Sequence, residues 1–278
     1  MEISGKVELV TGGAGGIGKA MVEILLQKQA KVVYLADINE GVSKQIQEEL
    51  HQKYGDGKVR LFKCDASRAE EMEACFKEIK SSCGALHIVC NNAGIYNEVN
   101  WQRMLEINLN GVVIGTKLAV EYMDGESAGG GVIINVASVA GLALIPFGGL
   151  YSTSKYAVIG FTRMTANFDP LVVKKKLRVN VLCPPCTDTP LVNGGLVPEP
   201  RYQKGCDDLF GGLRPYMTAD DLVKHWVKLI EEPHNGQAMF VQDADTSHLI
   251  EDQTQTFRET FKLNDMFTDL VKGVADSM

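Results

Sequence analysis

Val7-Glu-Leu-Val-Thr-Gly-Gly-Ala-Gly-Gly-Ile-Gly18 is the stretch on which the fold turns. Residues 7–10 read as a short apolar strand and 11–18 as a glycine-rich turn. Met21, Ile24, Leu25 and Lys28 then recur at helical spacing. A strand, a glycine turn and a helix start bring backbone N–H groups and the positive end of a helix to one point, where a pyrophosphate can sit. Glycine is required there because a Cβ would block close approach of the phosphates or forbid the turn. A second strand, expected over 32–36, ends at Asp37. That acid falls close to the roughly twenty residues at which a carboxylate grips the adenosine ribose hydroxyls. It could equally serve as the N-cap of the next helix.

Outward from this unit, short β-branched runs alternate with longer amphipathic stretches. Strands are expected over 7–10, 32–36, 59–63, 86–90, 132–136, 178–182 and 238–241. Helices are expected over 68–83, 103–123, 151–168 and 218–231, among others. The alternation predicts an α/β fold, a Rossmann-like doubly wound parallel sheet of about seven strands with helices on both faces. No linker divides the chain, so 1–278 reads as one domain. Residues 190–215 break the pattern with Gly194-Gly195 and Gly211-Gly212 and read as a substrate lid or a surface loop. In the extension 251–278, Phe267, Leu270, Val271 and Val274 fall on one helical face, with Phe257 and Phe261 suggesting a further turn. That face would pack on the chain's own body or on a second subunit.

The composition is that of an ordinary globular protein: 278 residues, 45% hydrophobic, 23% charged. A net charge of −7 gives no reason to expect nucleic-acid binding. Seven scattered cysteines do not form a secreted disulfide pattern, and residues 1–10 lack the basic start and apolar core of a signal peptide. The uncharged stretch 127–154 is interrupted by glycines, Asn135 and Pro146, so it reads as a buried strand and active-site loop rather than a membrane span. The expected compartment is the cytoplasm.

Further on, Tyr151-Ser-Thr-Ser-Lys155 places a phenol and an ammonium four residues apart, on one face of a helix, with Ser138 upstream. An ammonium beside a phenol favours the phenolate, making the tyrosine a proton-transfer group nearer neutral pH. Taken alone, the pair could be a solvated surface pair, and Ser138 could cap its own backbone.

These motifs together resemble the short-chain dehydrogenases/reductases. The resemblance runs from about residue 5 to about 245 and rests on Gly12, Gly16 and Gly18, Asp65, Asn91-Asn-Ala-Gly94, Asn108, Ser138, Tyr151 and Lys155. Within the family, residues 100–109, 129–135 and 229–236 are most similar to NAD-linked 15-hydroxyprostaglandin dehydrogenases and to insect-type alcohol dehydrogenases. The resemblance implies hydride transfer between an alcohol carbon and a nicotinamide cofactor. It makes Tyr151 the acid–base, Ser138 its hydrogen-bonding partner at the substrate oxygen, and Lys155 the holder of the nicotinamide ribose. Asn108 would anchor a water leading from the lysine to solvent, although a satisfied helix residue is a rival reading. Cofactor contacts are implied for Gly12, Gly16, Ile17 and Gly18, for Asp65 and Ala66 at the adenine, for Asn92 and Gly94 behind the ribose, and for Pro184, Thr187 and Thr189 at the carboxamide. No metal is implied, and a homodimer through the helices 103–123 and 151–168 is.

Asp37 is followed by Ile38 and Asn39, with no basic residue for a 2′-phosphate, which points to NAD rather than NADP. Two positions depart from the family pattern. Cys183-Pro-Pro-Cys186 stands where many members have Pro-Gly, and Pro185 cannot adopt a glycine's positive φ. Gly148 stands where prostaglandin dehydrogenases have a glutamine that contacts substrate. Leu142, Leu144, Ile145, Phe147 and the apolar residues of 190–215 suit a lipophilic secondary alcohol or ketone, such as an oxidised fatty acid, terpenoid or steroid. They could also simply pack the lid. A different class stays open on the same fold: a catalytically weak NAD-binding regulatory or scaffold protein.

Overall fold

The computed structural model describes residues 1–128, 130–251 and 264–278. Strand β1 (Val7–Thr11) lies in the middle of an eight-stranded sheet. The other strands are β2 (Val32–Asp37), β3 (Val59–Lys63), β4 (Ile88–Asn91), β6 (Val132–Val136), β7 (Arg178–Cys183), β9 (Ala238–Val241) and β10 (Ser247–Ile250), in the order β10-β9-β7-β6-β4-β1-β2-β3. All pairs are parallel except β10 on β9. Buried on both faces, the interior parallel strands β1, β2, β4, β6 and β7 are mostly apolar runs, while the edge strand β3 is partly exposed. All seven expected strands are present, and β10 is an addition. It returns through the turn at 243–246, where Asp243 accepts from the amides of Asp245 (3.0 Å) and Thr246 (2.8 Å).

Helices α1 (Gly16–Gln27), α2 (Glu40–Tyr54) and α9 (Ala219–Glu231) cover one face, burying Met21, Leu25, Leu50 and Trp226. Helices α3 (Ala69–Cys83), α5 (Val112–Tyr122), α6 (Gly149–Phe168) and α7 (Pro170–Lys175) cover the other around Met72, Phe76, Ala119 and Val172. The strand order reverses between β1 and β4, so a crevice opens at the carboxyl ends of those strands.

The expected helix 103–123 begins as α4 (Trp101–Leu105) and passes through a π-helical turn, Glu106–Gly111, before α5. Such widened turns concentrate at functional sites. Under α5 and α6 runs a buried polar chain. Asn91 donates to Asn135 (2.8 Å) and to Thr116 (3.1 Å), and Asn135 donates to Thr162 (2.9 Å). It fixes the height of both helices on the sheet. On the opposite face, β1 carries Glu8, wholly buried and with neither carboxyl oxygen hydrogen-bonded among the described residues.

Residues 190–215 are more regular than expected. β8 (Leu196–Val197) pairs in parallel with β5 (Tyr96–Asn97), and a 3-10 turn (Pro200–Tyr202) leads into α8 (Gln203–Gly212). Cys206, Leu209, Phe210 and Leu213 carry the helical period there, a signal that the glycines flanking it obscured. The C-terminal helix α10 (Asn264–Ser277) lies against α7. It rests on buried Ala275, while Leu270 and Val274 of the expected apolar face are exposed. Phe257 and Phe261 lie outside the described residues.

Candidate active site

The glycine turn explains its own composition. Gly12 has φ +64°, and a Cβ there would lie 2.8 Å from the Ala93 backbone. A Cβ at Gly18 would sit 2.1 Å from the Gly12 carbonyl, so the first turn of α1 could not close on the loop. Thr11 Oγ1 accepts from the amides of Asn92 (3.1 Å) and Ala93 (3.2 Å), while Asn92 Nδ2 donates to the carbonyls of Thr11 (3.0 Å) and Gly12 (3.1 Å). The loop after β4 is thereby bolted to the turn after β1. Asp37 accepts from the Ala14 amide through Oδ2 (3.0 Å) and from Asn39 N through Oδ1 (2.9 Å). The cap of α2 is Asn39, which accepts from Val42 N, so Asp37 is not the N-cap.

At the far end of the crevice Asp65 accepts from Ser67 N (3.0 Å) and Ser67 Oγ (2.7 Å) and pairs with Arg103. Burial alone would raise its carboxyl, but Ser67 and Arg103 outweigh it and hold the carboxyl below its ordinary value. Ala66 stands beside it, facing Gly111 of the π-helical turn.

In the middle, Ser138 and Tyr151 line the same part of the cavity, and the serine hydroxyl works against burial to pull the phenol down. Ser138 Oγ accepts from Ala140 N at 3.1 Å, so it caps its own backbone while it faces the cavity with Tyr151. Lys155 is 4% exposed; its Nζ donates to the Val136 carbonyl at 3.1 Å and lies 5.6 Å from the centroid of the Tyr151 ring. The expected lowering of the phenol by the ammonium is corrected here. Burial pushes Tyr151 up to about 12, with Ser138 pulling the other way, and burial pushes Lys155 down to about 8. Desolvation dominates both because Lys155 is turned to Val136 rather than to the phenolic oxygen.

Asn108 is wholly buried in the π-helical turn. Its side chain accepts from Ile95 N (2.9 Å) and donates to Ile95 O (2.8 Å), fixing the loop that ends in Gly94. A Cβ on Gly94 would meet Asn108 Oδ1 at 3.3 Å and Lys155 Nζ at 3.5 Å, so glycine there lets the two approach.

One cavity of about 1030 Å³ joins these groups, from Gly12, Gly16 and Ile17 past Asp37, Asp65, Ala66, Asn92 and Gly94 to Ser138, Tyr151, Lys155, Pro184, Thr187 and Thr189. Two expected site residues do not line it. Gly18 is enclosed by the turn it closes, and Asn108 sits behind Ile95. Pro184 accepts from Val139 N (2.9 Å), and buried Thr187 donates to Pro185 O (3.0 Å). Both cysteines of the Cys-Pro-Pro-Cys segment are free thiols; Cys183 is wholly buried and Cys186 lines the cavity beside Tyr151.

Four further residues escaped the sequence reading: Thr11, Tyr96, Glu98 and Arg103. Tyr96 packs its ring 5.1 Å from that of Tyr151 and donates to Phe147 O (2.9 Å). A Cβ on Gly148 would come within 3.1 Å of the Tyr96 hydroxyl, so Tyr96 fills the room a longer side chain at 148 would need. The bulky residue at 96 and the bare one at 148 were the available signal.

A doubly wound sheet, a glycine turn beneath its switch point and a Ser–Tyr–Lys cluster in the same crevice define a dinucleotide-linked dehydrogenase fold and site. The short chain dehydrogenase family profile matches residues 6–195, and the chain belongs to that family. Mouse 15-hydroxyprostaglandin dehydrogenase [NAD(+)] is 37% identical over 268 residues, covering 90% of this chain and 97% of the relative. The 3beta-hydroxysteroid dehydrogenase 2 of Eggerthella lenta is 35% identical over 229 residues, covering 79% and 85%. Among solved structures, a short chain dehydrogenase/reductase from Burkholderia phymatum in complex with NAD superposes with a TM-score of 0.77 at 22% identity, covering 96% of each chain.

Proposed function

We propose that this chain is an NAD-dependent oxidoreductase that interconverts a lipophilic secondary alcohol and its ketone. The observation that carries the reading is one cavity that meets Ser138, Tyr151 and Lys155 and then opens onto Leu191, Leu196, Leu209, Phe210 and Leu213. Its other end suits a dinucleotide: the turn leaves no room for a Cβ at Gly12, and Asp37 stands at the end of β2 without a cationic neighbour in sequence. The curated relatives named for NAD support that choice.

Gly12, Gly16 and Ile17 would hold the pyrophosphate, Asp37 the adenosine ribose, and Asp65 and Ala66 the adenine. Asn92 and Gly94 would back the nicotinamide ribose, and Pro184, Thr187 and Thr189 would take the carboxamide. Bound there, the nicotinamide supplies a hydride acceptor. The chain's own part is proton transfer and placement. In ketone reduction Tyr151 gives its phenolic proton to the carbonyl oxygen, and in alcohol oxidation its ionised form takes the hydroxyl proton back, while Ser138 hydrogen-bonds the same substrate oxygen as charge develops on it. Lys155 holds the nicotinamide ribose from its buried position, and Asn108 keeps the 94–95 loop against it. Residues 190–215 act as the lid of a single domain.

A series of secondary alcohols of rising length, assayed with NAD, tests the reading. kcat/KM should climb from 2-propanol upward, chiefly through KM, because each buried methylene contributes up to about 0.8 kcal/mol. Leu196→Asp or Phe210→Asp should harm long alcohols far more than 2-propanol. A flat series would refute the lipophilic site, and better turnover with NADP would refute the cofactor assignment. A homodimer through α5 and α6, where Tyr156 and Met164 are exposed, and a cytoplasmic location complete the proposal; sedimentation velocity checks the former.

A further inference from the structure

Helix α6, which carries Tyr151 and Lys155, begins without a cap of its own: Gly148 has no side chain to offer the first amides. The missing acceptor comes from another element. Glu98, 6% exposed at the end of β5, accepts from Tyr151 N through Oε1 (2.8 Å) and from Leu150 N through Oε2 (3.3 Å). These are the second and third amides of the helix, the ones a cap normally serves, and a carboxylate there also meets the positive end of the helix. The main chain of the same residue faces the other way. Glu98 N donates to Val197 O at 2.8 Å, joining β5 to β8 within residues 190–215. One residue therefore holds the amide of the proton-transfer tyrosine with its side chain and the lid with its backbone.

We propose that Glu98 is a positioning residue that couples the lid to Tyr151, so that seating β8 over the substrate fixes the start of α6 and the phenol with it. The inference rests on the reading of Tyr151 as the proton-transfer group and of 190–215 as the lid. Tyr96 reinforces the link, since its ring lies between Tyr151 (5.1 Å) and Phe210 of α8 (6.4 Å). A displacement of about 1 Å in a reacting group can cost on the order of a hundredfold in rate, so small shifts in the helix start are enough to matter.

Amide hydrogen exchange, read by mass spectrometry on the full chain, tests the link without a substrate. Leu196→Pro disturbs β8, and in the otherwise native chain it should raise exchange across residues 149–152 by about tenfold or more. In Glu98→Ala the same amides should already exchange fast, and adding Leu196→Pro should change them less than about twofold. Glu98→Gln retains one carbonyl acceptor and should fall between. In turnover, Glu98→Ala should lower kcat about tenfold while the Kd for NADH, read by fluorescence, moves less than about twofold, a split that general loss of structure would not give. Unchanged exchange at 149–152 in Leu196→Pro, or equal increments in the two backgrounds, would overturn the proposal. A native protein inactive on every alcohol would refute the proposed function instead, and the exchange arm would still decide the coupling.

Discussion

Burial drives Tyr151 and Lys155 in opposite directions, up to about 12 and down to about 8, so near neutral pH the pair stands as phenol and ammonium. Tyr151→Phe keeps the packed ring and removes the ionising oxygen. Turnover should fall by roughly 10²–10⁴-fold, with NADH affinity by fluorescence titration nearly unchanged. Lys155 is lowered, so it is charged below about 8 and neutral above. NADH binding should weaken as pH rises through that value, and Lys155→Met should bind weakly with no such pH dependence; titrations between pH 6 and 10 measure it. The residues legible in the sequence were those whose meaning is local, such as Tyr151 with Lys155 on one helix face. Thr11, Glu98 and Arg103 were not legible, because the partners that place them in the site, Asn92 and Ala93, Tyr151, and Asp65 with Ser67, lie 36 or more positions away and only the closed sheet brings them together.

At the scale of elements, β1 passes through the centre of the sheet with a carboxyl among its apolar side chains. Burial raises the Glu8 carboxyl well above its ordinary value. The native state therefore keeps a proton that the unfolded chain releases near the ordinary value. Stability is fullest below about 4.3 and declines as pH rises toward the folded-state value. Glu8→Gln should flatten that part of the stability–pH curve, and Glu8→Leu should raise stability at pH 7 by about 1–3 kcal/mol if the volume is accepted, as urea midpoints would report. The periodicity of β1 marked it correctly as a strand; the apolar reading passed over Glu8, since no pattern in four residues tells a neutral buried acid from a solvated one. The π-helical turn at Asn108 was likewise invisible, as the apolar spacing across 101–122 remains helical while one turn widens.

At the scale of the whole molecule, the layered sheet was legible from the alternation of strand and helix periods. β10 and α8 were not, because one is a four-residue hairpin return and the other touches the body along a narrow strip. Strand β3 ends the sheet on one side, and it exposes Arg60 and Lys63 along that margin. Arg60 also donates to Tyr34 OH (2.9 Å), and Lys63 lies 3.7 Å from Glu40. An open strand margin can recruit a further strand, and the product of that step offers a fresh margin, so the process has no natural end. Contact between two like helical faces is self-complementary and stops at two copies. Charges on β3 thus bias this chain toward assemblies that terminate rather than polymerise. Arg60→Val with Lys63→Val should shift heated samples from amorphous precipitate to fibrous, thioflavin-binding material, with little loss of turnover before heating.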